Sequence, residues 1–268
     1  GQSPYATDAQ YQTPPPRTAT ERALLSAVTA QSSQQVALIL SSAERAKEVI
    51  HAGTIDIACS NRNMSLLKQL LAYPQLKFTY CGPMGIAATL GDMDLVQHLL
   101  KERRLDPNTG CPVRNAVLHN HMTVLETLLA SDRINPNRGF ALYYAVSGEN
   151  VDAARLLLNH PRTFVNKMTP GYGTNPLGAA IIAGNEEIYC SLLTHPRVDV
   201  NRGFTMTPLQ MCAHKGRTHF ARMLLSRPTV AVNKTLGIES SPLELSIDND
   251  HPEMVALLLK EPRVNVPL

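Results

Sequence analysis

The stretch Thr207-Pro-Leu-Gln-Met-Cys-Ala-His-Lys-Gly216, continued through Leu224-Leu225 to Pro228, sets the pattern of the whole chain. Thr207 stands where a hydroxyl can cap a helix, and Pro208 follows in the first turn, where a missing N–H costs nothing. Gly216 offers the left-handed residue that stops this helix, and a second helix then runs through Leu224 until Pro228 ends it. Such a pair of short helices cannot bury its own apolar face, so copies of it must stack.

The copies are present. With Cys212 as anchor, one small residue recurs as Ala27, Ala58, Ala87, Ala116, Ala145, Ala180, Cys212 and Ser246, at intervals of 29 to 35 residues. Three positions before each anchor stand Leu24, Ile55, Met84, Val113, Leu142, Leu177, Leu209 and Leu243. Twelve after it stand Ile39, Leu70, Leu99, Leu128, Leu157, Leu192, Leu224 and Leu258. Pro83, Pro112, Pro176, Pro208 and Pro242 all lie four residues before an anchor, in a first helical turn, and Ser241-Pro-Leu-Glu244 spells a capping box. First helices are expected to stop near Gly91, Asn120, Gly184 and Gly216. Asp92, Asp94, Asp152, Glu186, Glu187 and Glu253 should open second helices, which Pro74, Pro161, Pro196, Pro228 and Pro262 should close. The expectation is an all-α solenoid of about eight helix-turn-helix units, with the small anchor letting neighbouring first helices approach closely.

Composition agrees. Hydrophobic residues make up 44% of the 268, aromatics only 5%, and tryptophan is absent, so the apolar bulk is aliphatic. A net charge of +3 is too small a bias to point to nucleic acid or a membrane surface. The longest apolar runs, such as Met254 to Leu259, fall far short of the roughly 18 residues a membrane span needs. Five scattered cysteines (Cys59, Cys81, Cys111, Cys190, Cys212) without a C-x-x-C pair argue against a disulfide framework or zinc site and suit a reducing, cytoplasmic setting. Residues 1–19 hold Pro14-Pro-Pro16 and no Ile, Leu, Val, Met or Phe, which reads as a disordered leader before a repeat domain over 20–268.

Thr207-Pro-Leu-Gln-Met-Cys-Ala213, with Gly216, Leu224-Leu225 and Val232-Asn233, resembles the ankyrin repeat, whose signature is T-P-L-H-x-A. Asn175-Pro-Leu-Gly-Ala-Ala180 with Gly184, Leu192-Leu193 and Val198-Asp-Val-Asn201 is the next best copy, and the resemblance covers about residues 21 to 266. Two departures stand out. The turns at His160-Pro-Arg162 and His195-Pro-Arg197 lack the family's usual glycine. The interval from the closing column to the next anchor is eight residues after Thr79, Asn108 and Asn137, against fourteen, eleven and thirteen after Asn166, Asn201 and Asn233. In the family this interval forms a β-hairpin finger, so three fingers should be trimmed to tight turns and the three C-terminal ones nearly full length.

No catalytic motif is evident. His119 with His121, and His214 with His219, lack metal-ligand helical spacing, and no phosphate-binding glycine loop is present. A non-enzymatic chain without cofactor or metal is expected. The basic residues Arg103, Arg104, Arg138, Arg162, Arg197 and Arg202 read as dispersed, solvated surface. The resemblance implies an interaction module, an adaptor or targeting scaffold binding another protein through its concave face and fingers. By column, the binding residues would be Leu118, His119, Ile182, His214 and Lys215 on first helices, with Lys167, Met168, Tyr172, Arg202, Phe204, Met206, Leu236 and Ile238 on the fingers. The alternative is the substrate-recruiting region of a larger enzyme, or of a bacterial effector delivered into the host cytosol. The start at Gly1, the finish at Leu268 and the apolar residues of the eighth copy suggest a piece of a longer protein, or an uncapped C-terminal repeat that self-associates weakly.

Overall fold

The computed structural model describes residues 18–46, 50–51, 53–77, 82–169, 173–237 and 240–265. The chain divides into two compact units, Gly1–Arg138 and Gly139–Leu268. In unit 1 the helix pairs are α1 (Ala19–Thr29) with α2 (Ser33–Ala46), α3 (Gly53–Ser60) with α4 (Met64–Ala72), α5 (Pro83–Leu90) with α6 (Met93–Lys101), and α7 (Pro112–Leu118) with α8 (Met122–Leu129). Two short strands, β1 (Ile50–His51) and β2 (Leu76–Lys77), pair in parallel. Unit 2 has α9 (Ala141–Ser147) with α10 (Val151–Asn159), α11 (Pro176–Ala183) with α12 (Glu186–Thr194), α13 (Pro208–His214) with α14 (Thr218–Leu225), and α15 (Pro242–Asp248) with α16 (Pro252–Leu259). Most of these helices are too short to persist alone in water and depend on tertiary packing.

That packing uses the columns. First helices stack as α1, α3, α5 and α7 in one unit and as α9, α11, α13 and α15 in the other. All eight anchors are at most 2% exposed, and all eight residues three positions earlier are buried. Of the third column, Leu70, Leu99, Leu128, Leu157, Leu192, Leu224 and Leu258 are fully buried. Ile39 is a correction: it is only half-buried, and the neighbouring Leu40 turns inward with Val36 and Ala43. The prolines occupy first turns as expected, and Thr207 with Gln210 and Ser241 with Glu244 form capping boxes. Thr18 and Glu21 form a third at the start of α1.

The first-helix stop is more general than glycine and asparagine suggest. All eight residues four after the anchor are left-handed, with φ between 52° and 79°, including Gln31, Arg62, Glu149 and Asp250. The next position then opens the second helix in one of two ways. Asn63, Asp92, Asn150 and Asn185 cap it with their own side chains. His121 and His251 instead reach back to the Thr89 and His214 carbonyls, at 3.0 and 3.2 Å, and Arg217 reaches the Ile182 carbonyl at 3.4 Å. These long groups lie over the preceding pair's stop residue, and each time that residue is glycine. A Cβ on Gly91 would stand 2.6 Å from the His121 ring, one on Gly216 2.7 Å from His251, and one on Gly184 3.1 Å from the Arg217 guanidinium.

Two further ladders tie successive pairs. The arginine seventeen residues after the anchor turns back to cap the preceding second helix and its loop. Arg104 donates to the Leu71 and Tyr73 carbonyls, and Arg133 to those of Leu100, Glu102 and Leu105. In unit 2, Arg197 donates to His160, Pro161 and Thr163, and Arg263 to Leu225, Arg227, Pro228 and Val230. Four of these guanidinium groups are therefore structural, which corrects the reading of Arg104 and Arg197 as solvated surface. Each also replaces what a glycine turn would supply, since it satisfies helix-end carbonyls directly. The closing asparagines form the second ladder. Asn108, Asn166, Asn201 and Asn233 each donate to one backbone carbonyl and accept from one backbone N–H in the next closing turn. The count from anchor to closing asparagine is twenty-one wherever that asparagine occurs, from Ala87 to Asn108 through Cys212 to Asn233.

The eight-residue intervals after Asn108 and Asn137 are tight turns as expected, with consecutive left-handed residues at Gly110 and Cys111 and at Gly139 and Phe140. The longer intervals differ from the expectation: among their described residues none forms a β-hairpin, and these segments are irregular loops held by side chains. Thr79, Cys81 and most of the leader lie outside the described residues; Thr18 and Ala19, at its end, are the cap and first residue of α1.

One half-buried group makes stability depend on pH. The Asp56 carboxylate in α3 accepts from the Gly82 N–H at 3.1 Å, yet burial pushes its pKa up to about 6 from 3.8, against the opposing effect of that bond. The folded state thus holds a proton that the unfolded chain releases near pH 4. Stability falls as pH rises from about 4 to about 6, and the cost is fully present above that window. Asp56→Asn keeps the acceptor oxygen and removes the charge. We expect it to melt above the parent at pH 7.5 and level with it at pH 4; an equal gap at both pH values would count against burial of the charge as the cause.

Candidate protein-binding surface

The position two after the anchor points away from the core. It leaves Leu118 of α7 53% exposed and Ile182 of α11 50% exposed, with His119 beside the first of them also open. In α13 the same positions give a half-buried His214, whose carbonyl receives His251, and an exposed Lys215 at the cap. Leu118 and His119 belong to unit 1, whereas every other predicted site residue within the described residues belongs to unit 2.

In unit 2 the loops before α11, α13 and α15 pack edge to edge. Asn175 caps α11 and donates to the Arg202 carbonyl at 2.9 Å. Gln210 donates to the Ser240 carbonyl at 2.9 Å, which fixes the third loop against the second. Gly203 makes the central turn possible, because a Cβ there would meet the Met206 carbonyl oxygen at 1.7 Å. That turn leaves Phe204 59% exposed, with its ring edge 3.4 Å from where a Cβ on Gly173 would lie. Met168, Met206 and Leu236 are half-buried, so these apolar side chains divide their surface between loop packing and solvent. Lys167 places its ammonium 4.3 Å from the centre of the Phe140 ring, and Arg202 is exposed. Tyr172 and Ile238 lie outside the described residues.

Other exposed apolar residues escaped the sequence reading. Phe164 is 65% exposed in a position where three other pairs carry Asp106, Asn135 and Asp199 and a fourth carries Ala231; a large aromatic in that small, mostly polar column was the available signal. Ile247 is 58% exposed, although Val28, Val117, Val146 and Ile181 at the same register are covered or nearly so. The difference follows from α15 having no later first helix beside it among the described residues.

Catalytic chemistry finds no support in the thiols. Burial pushes the Cys212 thiol well up, and burial with the nearby Glu186 carboxylate raises Cys190, the opposite of an activated thiolate. Among the described residues no group of three His, Cys, Asp or Glu could hold a metal ion, and no helix is long and apolar enough to cross a membrane.

Residues 115–203, from α7 to the loop before α13, match a protein family described as Ankyrin repeats (3 copies). Curated proteins give no match. Repeats of this kind are generally modules that bind other proteins.

Proposed function

From the premise that this chain belongs to the ankyrin-repeat family, we propose that it is an adaptor or targeting module. It binds a partner protein through the first-helix face and loops of unit 2. The observation that carries this reading is Phe204, a large aromatic held 59% exposed on a turn that only glycine at 203 permits. Aromatic anchors on rigid supports are the residues that dominate protein interfaces. Ile182, 50% exposed on α11, is a second large apolar residue open on the same unit, and Arg202 and Lys215 are exposed polar residues of that unit, the composition expected of an interface with apolar anchors and a charged rim.

The test is affinity capture with the parent chain and with Phe204→Ala combined with Ile182→Ala. Both side chains are largely outside the core, so circular dichroism and the unfolding midpoint should be unchanged. The paired substitution should remove specific partners, at a cost of at least tenfold in affinity, about 1.4 kcal/mol, for each anchor that fills a pocket. Identical captured sets from the two baits would sink this placement of the site.

A further inference from the structure

Along the loop edge of unit 2 the charge is unbalanced and regularly spaced. The residue following each clamped asparagine there is a cation: Lys167 after Asn166, Arg202 after Asn201 and Lys234 after Asn233. The asparagine ladder binds each of these turns to the next, which sets the cations one helix pair apart. Lys234 also reaches back to the Asn201 carbonyl at 3.4 Å, so it follows the same line. Segments 160–175, 195–207 and 227–240 contain six of the twelve Lys and Arg of unit 2 but only two of its eleven Asp and Glu. One of those two, Asp199, spends its carboxylate on the Asn201 N–H at 2.9 Å. Elsewhere in the unit acidic residues outnumber Lys and Arg, nine to six. Glu187 pairs with Arg155 at 2.8 Å and Glu186 with His219 at 3.0 Å, both across second helices.

Neighbouring packed helices lie about 8–10 Å apart, and a chain in the polyproline II conformation advances about 3.1 Å per residue with three residues per turn, so that every third side chain returns to the same face. Three residues of extended peptide therefore span one helix pair. We propose that this edge binds an extended acidic peptide with carboxylates at every third residue, facing Lys167, Arg202 and Lys234. The side chains between the carboxylates are apolar and lie against Phe204, Met206 and Leu236. This inference rests on the protein-binding reading above and adds the chemical class of the partner. Nucleic acid fits less well, because three cations neutralise few phosphates and the described residues of this edge hold no row of aromatic rings for base stacking.

The probe is a fluorescein-labelled ten-residue peptide with glutamate at every third position and leucine and serine between, added to the full chain. The same peptide with glutamine for glutamate and a ten-residue oligothymidylate serve as comparisons. We expect the glutamate peptide to bind at least tenfold more tightly than the glutamine peptide, and to weaken several-fold between about 0.05 M and about 0.3 M salt. The double variant Arg202→Glu, Lys234→Glu should lose about tenfold in affinity for it, since each reversal replaces an attraction by a repulsion. Its unfolding midpoint should not move. Equal binding of the glutamine peptide, equal or tighter binding of the oligothymidylate, or an unchanged affinity in the double variant would overturn the inference. If Phe204→Ala with Ile182→Ala still removes captured partners while the glutamate peptide fails to bind, the interaction role stands and the acidic partner alone is refuted.

Discussion

Arg133→Ala is expected to destabilise the chain by about 3 kcal/mol, a large fraction of the stability of an ordinary domain. The guanidinium sits among the Leu100, Glu102 and Leu105 carbonyls, at 2.8 Å from the first and 3.1 Å from the second. These belong to the end of α6 and the loop after it, where helical carbonyls have no partner within the helix. A charged donor strengthens each bond, but part of the site is open, so water recovers some of what the alanine variant gives up. Arg133→Lys separates charge from geometry: an ammonium cannot span three carbonyls as a planar fork does, and the variant should recover less than half of the loss. Urea unfolding of the three proteins reads the effect directly. Equal midpoints for parent and alanine variant would mean that the arginine ladder decorates the fold without holding it.

Gly91→Ala is expected to cost a similar amount, about 3 kcal/mol, for two reasons that can be measured apart. A left-handed residue with a side chain costs about 1 kcal/mol by itself. The larger part is steric, since the new methyl group would stand 2.6 Å from the His121 ring, which in turn is fixed by its bond to the Thr89 carbonyl. His121→Asn should lift that conflict and give α8 the side-chain cap that Asn63 and Asn185 give α4 and α12. In the His121→Asn background, Gly91→Ala should then cost only about 1 kcal/mol, a coupling of about 2 kcal/mol in a double-mutant cycle. An identical cost in both backgrounds would show that the ring moves aside freely.

The packing of this protein is written in local spacing, which is why the three columns, the first-turn prolines and the capping box at Ser241 could be read directly. What local pattern misses is a side chain reaching across a repeat. Arg104, Arg133, Arg197 and Arg263 each stand seventeen residues after an anchor, yet the first and third read as surface and the other two drew no reading, because their acceptors are backbone atoms, which leave no mark in the sequence. Gln31, Arg62, Glu149 and Asp250 were passed over as helix stops because residue preference favours glycine and asparagine there, while the stacked pairs impose the conformation regardless. The outward positions Leu118 and Ile182 were legible, since a helix that buries one face must turn another away. How far Met168, Met206 and Leu236 are drawn into the loop edge was not, because irregular loops have no period to follow.

The constant count of twenty-one residues from anchor to closing asparagine contrasts with the eight to fourteen that follow before the next anchor. The bridged length is a frame: an insertion there would pull an asparagine or an arginine off its carbonyls and unhook two neighbours together. The length that follows is a cassette: it is tied across the stack only at single points such as Asn175 to Arg202 and Gln210 to Ser240, and variation in size gathers between them. Recognition in such a protein can therefore be rewritten by exchanging segments such as 167–174 whole, leaving the frame, and with it the folding problem, unchanged.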